Sequence, residues 1–502
     1  MRLGTWIVAV ASAAFVAGAL AGCASSATPP PAGRAVGSEL ARALDALLDA
    51  RPLDRALWGI EIAEARTGAV LYARNANRHF VPASNLKLVV TAAALDRLGP
   101  EYTYRTSLYT NAPIEDGLLR GDLVLYGRGD PNLSGRYTTG PTAIFAALAD
   151  SLRARGVRAV GGRVVADESY FDADYTRPDW EAYDLLWWYA APVSALSFND
   201  NSIDFTIRPG APGAAPLITA APASSFYSLE NTALTVAHLD SIRQPLDFTR
   251  APGTNRVLAY GYVQAGAPED TESFSVVSPA AWTATVFRET LEAAGIPVAD
   301  DSVTVVSDPA RSPVGSASTL LAEHVSPPLE KVIFSINKRS QNWHAEQLLK
   351  TLGKEGRGRG TFEDGLAVER DFLRGAGIEP EAILLRDASG LSANNLVTPH
   401  ALVTLLRYMR GHPRGDVYFA SLPATGGDGS LRKRFANGAA AGKVYAKDGY
   451  IQNVNSLSGY LVATPADTLV FSILANNHGL EKSQAIAAID SAVAIVAALR
   501  SR

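Results

Sequence analysis

The two ends of the chain carry the patterns that most constrain its fold. Near the N-terminus, the stretch ALWGIEIAEARTGAVLYARNAN has strand patterning on both sides of Thr67-Gly68, which predicts a β-hairpin. Near the C-terminus, SLSGYLVATPADTLVFSILANN predicts two buried strands, and an amphipathic final helix follows them. Helical spacing of leucines predicts another helix over 38–50. This order of elements predicts an α+β fold in which helices flank an antiparallel sheet.

The middle of the chain has a different texture. From about residue 101 to about 315, short strand-like runs alternate with Gly, Pro and Asp turns, and TAIFAALADSLRARG predicts one helix. Helical patterning returns with PPLEKVIFSINKRSQNWHAEQLLKTLG. We therefore expect a helix-flanked domain in two segments, 37–100 and 319–502, that carries a β-rich insertion over 101–318.

Composition excludes two classes of function. The net charge of the 502 residues is −4, with no long basic run, so the chain lacks the electrostatic footprint of a nucleic-acid-binding protein. Its seven His are scattered and it has one Cys, which gives no pattern of metal ligands. We expect neither a metal nor another cofactor.

The N-terminus is typical of an exported protein. Arg2 precedes an apolar run over 6–20, and Leu-Ala-Gly-Cys follows, ending at Cys23. The segment resembles the bacterial lipobox, which implies a signal peptide over 1–22 and a lipid anchor on Cys23; an ordinary signal peptide with an incidental cysteine is the alternative. Ala24 implies the outer membrane in diderm bacteria, hence the periplasmic face of the cell envelope. The Pro-rich stretch over 23–36 predicts a flexible tether.

A serine and a lysine lie one turn apart at the start of a predicted helix. In VPASNLKLVVTAAALDRLG, Ser84 and Lys87 share a helix face, so a neutral lysine could activate the hydroxyl as a nucleophile. The alternative is a serine N-cap beside an exposed lysine. The apolar run after Lys87 favours the first interpretation, because it is an unusual setting for a solvated lysine.

Two further motifs permit both structural and chemical interpretations. Ser340 and Asn342 can point into one cleft, or one of them can cap a helix that has Glu346 in its first turn. Asp448-Gly449 is a strong signal for a tight hairpin turn. With Lys447 it can instead form one wall of an active site, since a lysine on an edge strand presents a cation and glycine admits a substrate backbone.

Together, the three motifs resemble the Ser-x-x-Lys, Ser-x-Asn and Lys-Thr-Gly set of penicillin-binding proteins and serine β-lactamases. The flanking stretches GDLVLYGRGDPNLS, DASGLSANNLVTPHAL and SLPATGGDGSLRKRF are similar to the D-Ala-D-Ala carboxypeptidase/endopeptidase family, the class C low-molecular-mass penicillin-binding proteins of peptidase family S13. The resemblance runs from about residue 38 to the C-terminus. It implies a β-lactamase/transpeptidase-like domain with a large insertion, and peptidoglycan stem peptides as substrates.

The resemblance also implies a role for each motif residue. Ser84 would attack the carbonyl of the D-Ala-D-Ala bond, and Lys87 would take its proton. Ser340 would pass a proton to the leaving nitrogen, and Asn342 would bind the substrate amide and steady Lys87. A β-lactam would acylate the same serine.

The strand motif would bind the substrate. Lys447 would supply positive potential near the substrate carboxylate, and Gly449 would let the substrate lie close. The backbone N–H groups of Ser84 and Tyr450 would form the oxyanion hole.

Asp448 departs from the family pattern, which has threonine there. A carboxylate facing the substrate carboxylate would be repulsive by about 1–4 kcal/mol at contact, and it would favour the charged form of nearby lysines. Three accounts are open. Asp448 points away from the cleft, or it faces a substrate without a free carboxylate, or the site is inactive. The main alternatives to a D-Ala-D-Ala peptidase are thus a peptidoglycan-binding lipoprotein with a degenerate site and a β-lactamase or esterase.

Overall fold

The computed structural model describes residues 32–240, 243–464 and 467–500. The predicted signal peptide and Cys23 lie outside the described residues. The α-helices, in chain order, are α1 (Ala32–Leu48), α2 (Lys87–Arg97), α3 (Ala143–Ala154), α4 (Pro279–Ala293), α5 (Leu329–Lys338), α6 (Asn342–Arg357), α7 (Phe362–Gly375), α8 (Pro399–Arg410), α9 (Gly415–Ser421) and α10 (Lys482–Arg500).

The strands fall into three groups along the chain. The first pair is β1 (Leu57–Glu64) and β2 (Val70–Arg74). The middle group is β3 (Arg105–Thr110), β4 (Ile114–Glu115), β5 (Leu118–Leu119), β6 (Leu123–Gly127), β7 (Ala159–Val160), β8 (Val164–Asp167), β9 (Ser202–Arg208), β10 (Leu217–Ala221), β11 (Ser228–Asn231), β12 (Leu234–Val236), β13 (Asp247–Arg250), β14 (Arg256–Tyr260), β15 (Tyr262–Gln264), β16 (Asp270–Ser275), β17 (Val303–Val306) and β18 (Thr319–Val325). The last group is β19 (Ile383–Leu384), β20 (Leu396–Val397), β21 (Val444–Ile451), β22 (Val454–Thr464) and β23 (Asp467–Asn476).

Strands from both ends of the chain form one antiparallel sheet, as predicted. The order is β2-β1-β23-β22-β21, so β1 pairs with β23 across the whole length of the sequence and β21 is an edge. Alternate residues of β23 face opposite sides of the sheet. Val470 and Leu474 join the core of α2 and α5–α9, whereas Phe471 and Ile473 join the core of α1 and α10.

The terminal helix packs on this sheet. Among the described residues, α10 is the helix whose length and apolar composition would suffice to cross a membrane. Its buried residues, including Ile489 and Val493, belong to the same core as Leu44 of α1 and Trp58 of β1. In this fold α10 is therefore a core helix.

The β-rich middle forms its own core. The sheet β17-β8-β6-β3-β18 packs against α3 and α4, and smaller sheets continue the insertion. Because β18 pairs with β3, the insertion extends to Val325. The boundary predicted after residue 318 falls at the Ser-, Pro- and Gly-rich stretch 312–318, after which β18 still pairs with the sheet of the insertion.

The insertion also supports helix α6 of the helix-flanked domain. Trp343 Nε1 and Gln347 Nε2 donate to the carbonyls of Pro192 and Ser194, at 3.0 and 2.9 Å. His344 lies 3.2 Å from Asp200 Oδ1. The insertion thus fixes the position of α6 at three side chains.

One local prediction differs from the structure, and one of the two interpretations of a motif is excluded. The helix α1 begins at Ala32, so residues 32–36 of the predicted tether are helical. Asp448-Gly449 is not a turn but lies inside β21, because pairing with β22 extends the strand to Ile451. The chain reverses instead at Asn453, which has a φ of 60°.

Candidate active site

Ser84 lies in a 3-10 turn, Ala83–Leu86, that leads directly into α2. Ala83 has a φ of 47°, which is a strained backbone for a residue other than glycine. A Cβ on Gly390 would lie 1.9 Å from the Ala83 carbonyl oxygen, so only glycine fits beside this turn. Asn85 Nδ2 donates to the Lys447 carbonyl at 2.8 Å and ties the turn to β21.

Lys87 is fully buried at the base of this turn, with 0% of the residue exposed. Its Nζ lies 2.8 Å from Ser84 Oγ, 2.7 Å from Asn342 Oδ1 and 2.6 Å from the Ser389 carbonyl oxygen. Burial, and then repulsion from Lys447, hold the pKa of Lys87 well below its usual range. The structure therefore brings Ser84, Lys87 and Asn342 into one hydrogen-bonded cluster, as the motifs predict.

The third partner of Lys87 is held in place by residues that the sequence analysis did not assign to the site. Glu346, one turn after Asn342 on α6, accepts from the N–H groups of Ala388 and Ser389 at 3.0 and 2.7 Å. These bonds hold the backbone that immediately precedes the Ser389 carbonyl, while the N–H of that carbonyl's own peptide unit, on Gly390, donates to Asp387 Oδ1 at 2.8 Å. A backbone carbonyl has no sequence signal, so only the cap pattern around Glu346 was visible in advance.

The loop 387–395 has a structural role as well. Asp387 accepts four hydrogen bonds, of which three come from the loop itself and one from Trp180 Nε1 at 3.0 Å. Asn395 Oδ1 in turn accepts from the backbone of Arg386 at 2.7 Å. This closed network holds Ser389 in place beside Lys87.

Two carboxyl groups near this loop are deeply buried. Burial, and then repulsion from Asp387, raise the pKa of Glu346 above its usual range. Glu369 on α7 is 1% exposed, and neither of its oxygens has a hydrogen-bond partner among the described residues. Burial and the Glu346 charge raise the pKa of Glu369 well above its usual range, so it is held as the neutral acid.

Ser340 lies between α5 and α6 with a φ of 58°, in the left-handed region. It is not the N-cap of α6, a position that Gln341 occupies. Within the described residues the Ser340 hydroxyl makes no hydrogen bond, and so it does not join the cluster at Lys87. The proximity of Ser340 to the two lysines therefore stays a prediction.

The opposite wall of the cleft is β21. Lys447 is buried, and its Nζ donates to the Asp448 carbonyl oxygen at 2.6 Å and to Asp448 Oδ1 at 3.1 Å. The same Oδ1 accepts from Ser430 Oγ at 2.5 Å. Burial alone would raise the pKa of Asp448, but attraction to Lys447 and the Ser430 hydrogen bond outweigh it and lower the pKa to about 2. Asp448 is therefore an anion at neutral pH.

Gly449 brings the strand against the nucleophile. A Cβ there would lie 2.3 Å from Ser456 Oγ and 2.8 Å from the Ser84 backbone nitrogen. Tyr450, next along the strand, is 46% exposed, and Lys482 Nζ lies 3.9 Å from the centre of its ring. The backbone of β21 thus lines the site opposite Ser84.

The position of Asp448 removes one of the three accounts. Its carboxylate does not point away and leave Lys447 free, because the two side chains form an ion pair. Successive side chains of a strand leave on opposite faces, so this contact depends on the length of the Lys447 side chain, which bends back to the Asp448 carbonyl and carboxylate. The accounts that remain are a substrate without a free carboxylate and an inactive site.

One acidic cluster in the described residues has the spacing of metal ligands. Asp172, Asp174 and Glu363 offer carboxylate oxygens within 4.8 Å of one another. Lys350 Nζ donates to Asp172 Oδ1 at 2.5 Å, and Arg177 pairs with Glu363 at 3.0 Å. Since these two cations already pair with two of the three carboxylates, we assign no metal to the cluster.

Comparison with known proteins agrees with this fold. The family described as D-Ala-D-Ala carboxypeptidase 3 (S13) matches residues 40–499. A D-alanyl-D-alanine carboxypeptidase of Actinomadura sp. (strain R39) is 34% identical over 470 residues, which are 91% of this chain and 84% of the relative.

Solved structures show the same architecture. Penicillin-binding protein 4 of Haemophilus influenzae has a TM-score of 0.76 at 23% identity, over 88% of this chain and 94% of that chain. The same protein in complex with a β-lactam gives 0.72 at 22% identity, over 89% and 97%. The fold is that of penicillin-binding proteins, and the predicted fold class is confirmed. The chain belongs to the S13 family of serine-type D-Ala-D-Ala carboxypeptidases, which confirms the resemblance seen in its motifs.

Proposed function

We propose that the protein is a serine D-alanyl-D-alanine carboxypeptidase/endopeptidase that cleaves peptidoglycan stem peptides through an acyl-enzyme on Ser84. The observation that carries this proposal is the set of partners around Lys87 Nζ. Two of them, Asn342 Oδ1 and the Ser389 carbonyl, can only accept hydrogen bonds. A neutral amine has two N–H groups for these oxygens, and its lone pair is then left for the hydroxyl hydrogen of Ser84.

The lowered pKa of Lys87 supports the same role. A lysine that is neutral at working pH can take the Ser84 proton as the hydroxyl attacks the scissile carbonyl. Ser340 then passes a proton to the leaving nitrogen, and water releases the acyl group from Ser84. Asn342 binds the substrate amide with the end of its side chain that Lys87 does not use.

The strand wall, which is the side of the cleft formed by β21, supplies the remaining groups of the proposal. The N–H groups of Ser84 and Tyr450 form the oxyanion hole, which the close approach of Gly449 to Ser84 supports. Lys447 supplies positive potential to the bound substrate. The S13 relatives of known activity, and the β-lactam complex of the Haemophilus protein, support a peptidase that β-lactams acylate.

Digestion of purified peptidoglycan fragments tests this function. The soluble protein, residues 24–502, is incubated with pentapeptide monomers and with crosslinked dimers, and the products are weighed by mass spectrometry. Loss of the terminal alanine shows carboxypeptidase activity, and splitting of dimers shows endopeptidase activity. Neither product should form with Ser84→Ala. Activity that survives this substitution would contradict the proposed nucleophile.

Asp448 favours a second candidate, a peptidoglycan-binding protein with a degenerate site. On this hypothesis the ion pair with Lys447 keeps the scissile bond of a bound fragment away from Ser84, so the protein retains fragments without cleaving them. Binding of dimers without any product, in both the native chain and Asp448→Thr, would support it. A β-lactamase has less support, because in the described residues no carboxylate hydrogen-bonds to Ser84 to activate a deacylating water.

We also propose that a lipid on Cys23 anchors the enzyme to the periplasmic face of the outer membrane. The proposal rests on the lipobox-like end of the predicted signal peptide. Fractionation of cells that express the full chain tests it. Cys23→Ser should move the protein from the membrane to the soluble fraction, and a variant that stays with the membrane would contradict the anchor.

A further inference from the structure

Asp448 directly precedes the strand residue that contacts the candidate nucleophile. The next residue on the strand, Gly449, is packed against the backbone nitrogen of Ser84. The charge of Asp448 also reaches the base, since it acts on Lys87 in the direction that raises the pKa. The carboxylate is therefore part of the reaction cleft rather than of the outer surface.

The ion pair changes the charge of this wall. Lys447 is wholly buried and has one anion, Asp448 Oδ1, at 3.1 Å. The pair together is close to neutral, whereas a threonine at position 448 would leave the lysine charge unbalanced. A substrate carboxylate therefore loses the attraction that a free Lys447 would provide.

One oxygen of Asp448 remains available. Oδ1 accepts from both Ser430 and Lys447, while Oδ2 makes no hydrogen bond within the described residues. The side chain is 31% exposed, so Oδ2 can meet a ligand. An ionised carboxylate only accepts hydrogen bonds, and a ligand group that complements it must therefore be a donor.

A carboxamide satisfies this requirement and a carboxylate does not. The N–H₂ group of a carboxamide can donate a hydrogen bond to Asp448, and the carboxamide oxygen can accept one from another donor of the strand wall. Resting on the function proposed above, we propose that Asp448 is a specificity-determining residue that selects leaving groups with a carboxamide in place of the free α-carboxylate. Substrates of this class are peptides that end in an amino-acid amide, and crosslinks whose carboxyl group beside the scissile bond is amidated.

A pair of matched peptides tests the inference. Diacetyl-L-Lys-D-Ala-D-Ala and the same peptide ending in D-alaninamide differ only at the group that would face Asp448. The kcat/KM of each is measured from the release of D-alanine or D-alaninamide. The native enzyme should favour the amide by about tenfold or more, because repulsion of a carboxylate at contact corresponds to at least that order.

The variants separate charge from shape. Asp448→Asn keeps the size of the side chain and removes its charge, so the preference should move towards the carboxylate peptide by about tenfold or more. Asp448→Thr restores the hydroxyl of the family pattern and should shift the preference in the same direction. Asp428→Asn removes a carboxylate from the neighbouring exposed loop and is the matched control, with an unchanged preference.

Three results would overturn the inference. The native enzyme cleaves the carboxylate peptide as well as the amide, or Asp448→Asn leaves the preference unchanged, or only Asp448→Thr is active and only on the carboxylate peptide. If the native chain and both Asp448 variants unfold at the same temperature and cleave neither peptide, the proposed function itself is contradicted.

Discussion

The cleft has two walls: the helix wall, with Ser84, Lys87 and Asn342, and the strand wall, formed by β21. Each contains a buried lysine, but the two lysines have different surroundings. On the helix wall, Lys87 contacts two carbonyl oxygens and a hydroxyl, and no carboxylate of the described residues hydrogen-bonds to it. On the strand wall, Lys447 contacts the carboxylate of Asp448. The first arrangement favours a neutral amine, whereas in the second the lysine is paired with a carboxylate. On the proposed function, the base therefore lies on one wall and the binding charge on the other.

This division also locates the departure from the family. The helix wall retains each residue of the resemblance, while the strand wall has Asp448 in place of threonine. A change on the binding wall alters which ligands enter, whereas a change on the helix wall would remove the reaction. The comparison therefore predicts large losses on one wall and altered selectivity on the other.

The largest effect should come from the base. Lys87→Ala should lower the rate of acylation by benzylpenicillin by about a thousandfold, since general base catalysis contributes about 10²–10⁴-fold. Lys87→Arg keeps the positive charge but cannot lose a proton, and should be equally slow. Stopped-flow or mass-spectrometric acylation rates measure both. A fast Lys87→Arg enzyme would show that charge, and not proton transfer, is what Lys87 supplies.

The next effect should come from the strand wall. Benzylpenicillin carries a carboxylate, so Asp448→Thr should raise its acylation rate by about tenfold or more. Added salt should also raise the rate of the native enzyme, because it screens the repulsion, and should affect the variant less. Equal rates and equal salt dependence in the two proteins would contradict the proposed repulsion.

A pH profile connects the two walls. The anion of Asp448 acts to raise the pKa of Lys87, so its removal in Asp448→Asn should lower that pKa further. The acid limb of kcat/KM for an uncharged substrate should then move to lower pH, since Lys87 loses its proton earlier. Asp428→Asn serves as the control and should leave the limb in place. A shift to higher pH would mean that Asp448 does not act on Lys87 in this way.

The smallest effect concerns stability behind the helix wall. Native Glu369 keeps a proton that the unfolded chain releases above about pH 4, so this residue makes the fold less stable as pH rises towards its raised pKa. Because of Glu369, the free energy of unfolding of the native chain should fall by up to about 1.4 kcal/mol per pH unit. Glu369→Gln should remove this part of the slope. Urea unfolding between pH 5 and 8 measures the slope.

Asp371→Asn, on the same helix, is the control for this measurement. The carboxyl of Asp371 has a lowered pKa, so the stability that it contributes to the fold is lost only as pH falls below the ordinary pKa range of aspartate. The slope between pH 5 and 8 should therefore be that of the native chain. If the slope of Glu369→Gln also equals that of the native chain, Glu369 is ionised in the fold.

Local patterns were sufficient to predict the helix wall. Ser84 and Lys87 are three residues apart on one helix, so their contact follows from helix geometry alone. The antiparallel sheet followed from alternation in the terminal strands. By contrast, the bond from Lys87 to the Ser389 carbonyl joins distant segments through a backbone atom, which any residue could supply.

The strand wall was harder to predict for another physical reason. The Asp448-Gly449 pair has the local preference of a turn, but pairing with β22 and the contact of Gly449 with Ser84 place it in a strand. Tertiary contacts outweighed local preference there. The sequence identified Asp448 as the departure from the family, but the ion pair with Lys447 required the structure.

Intact-protein mass after incubation with benzylpenicillin tests the central claim most directly. The native chain and Asp448→Thr are both exposed to millimolar ligand, with Ser84→Ala alongside, and the modified peptide is mapped. The account predicts one penicilloyl adduct on Ser84, formed faster in Asp448→Thr and absent from Ser84→Ala. An adduct on another residue, or none in either the native chain or Asp448→Thr, would contradict Ser84 as an activated nucleophile.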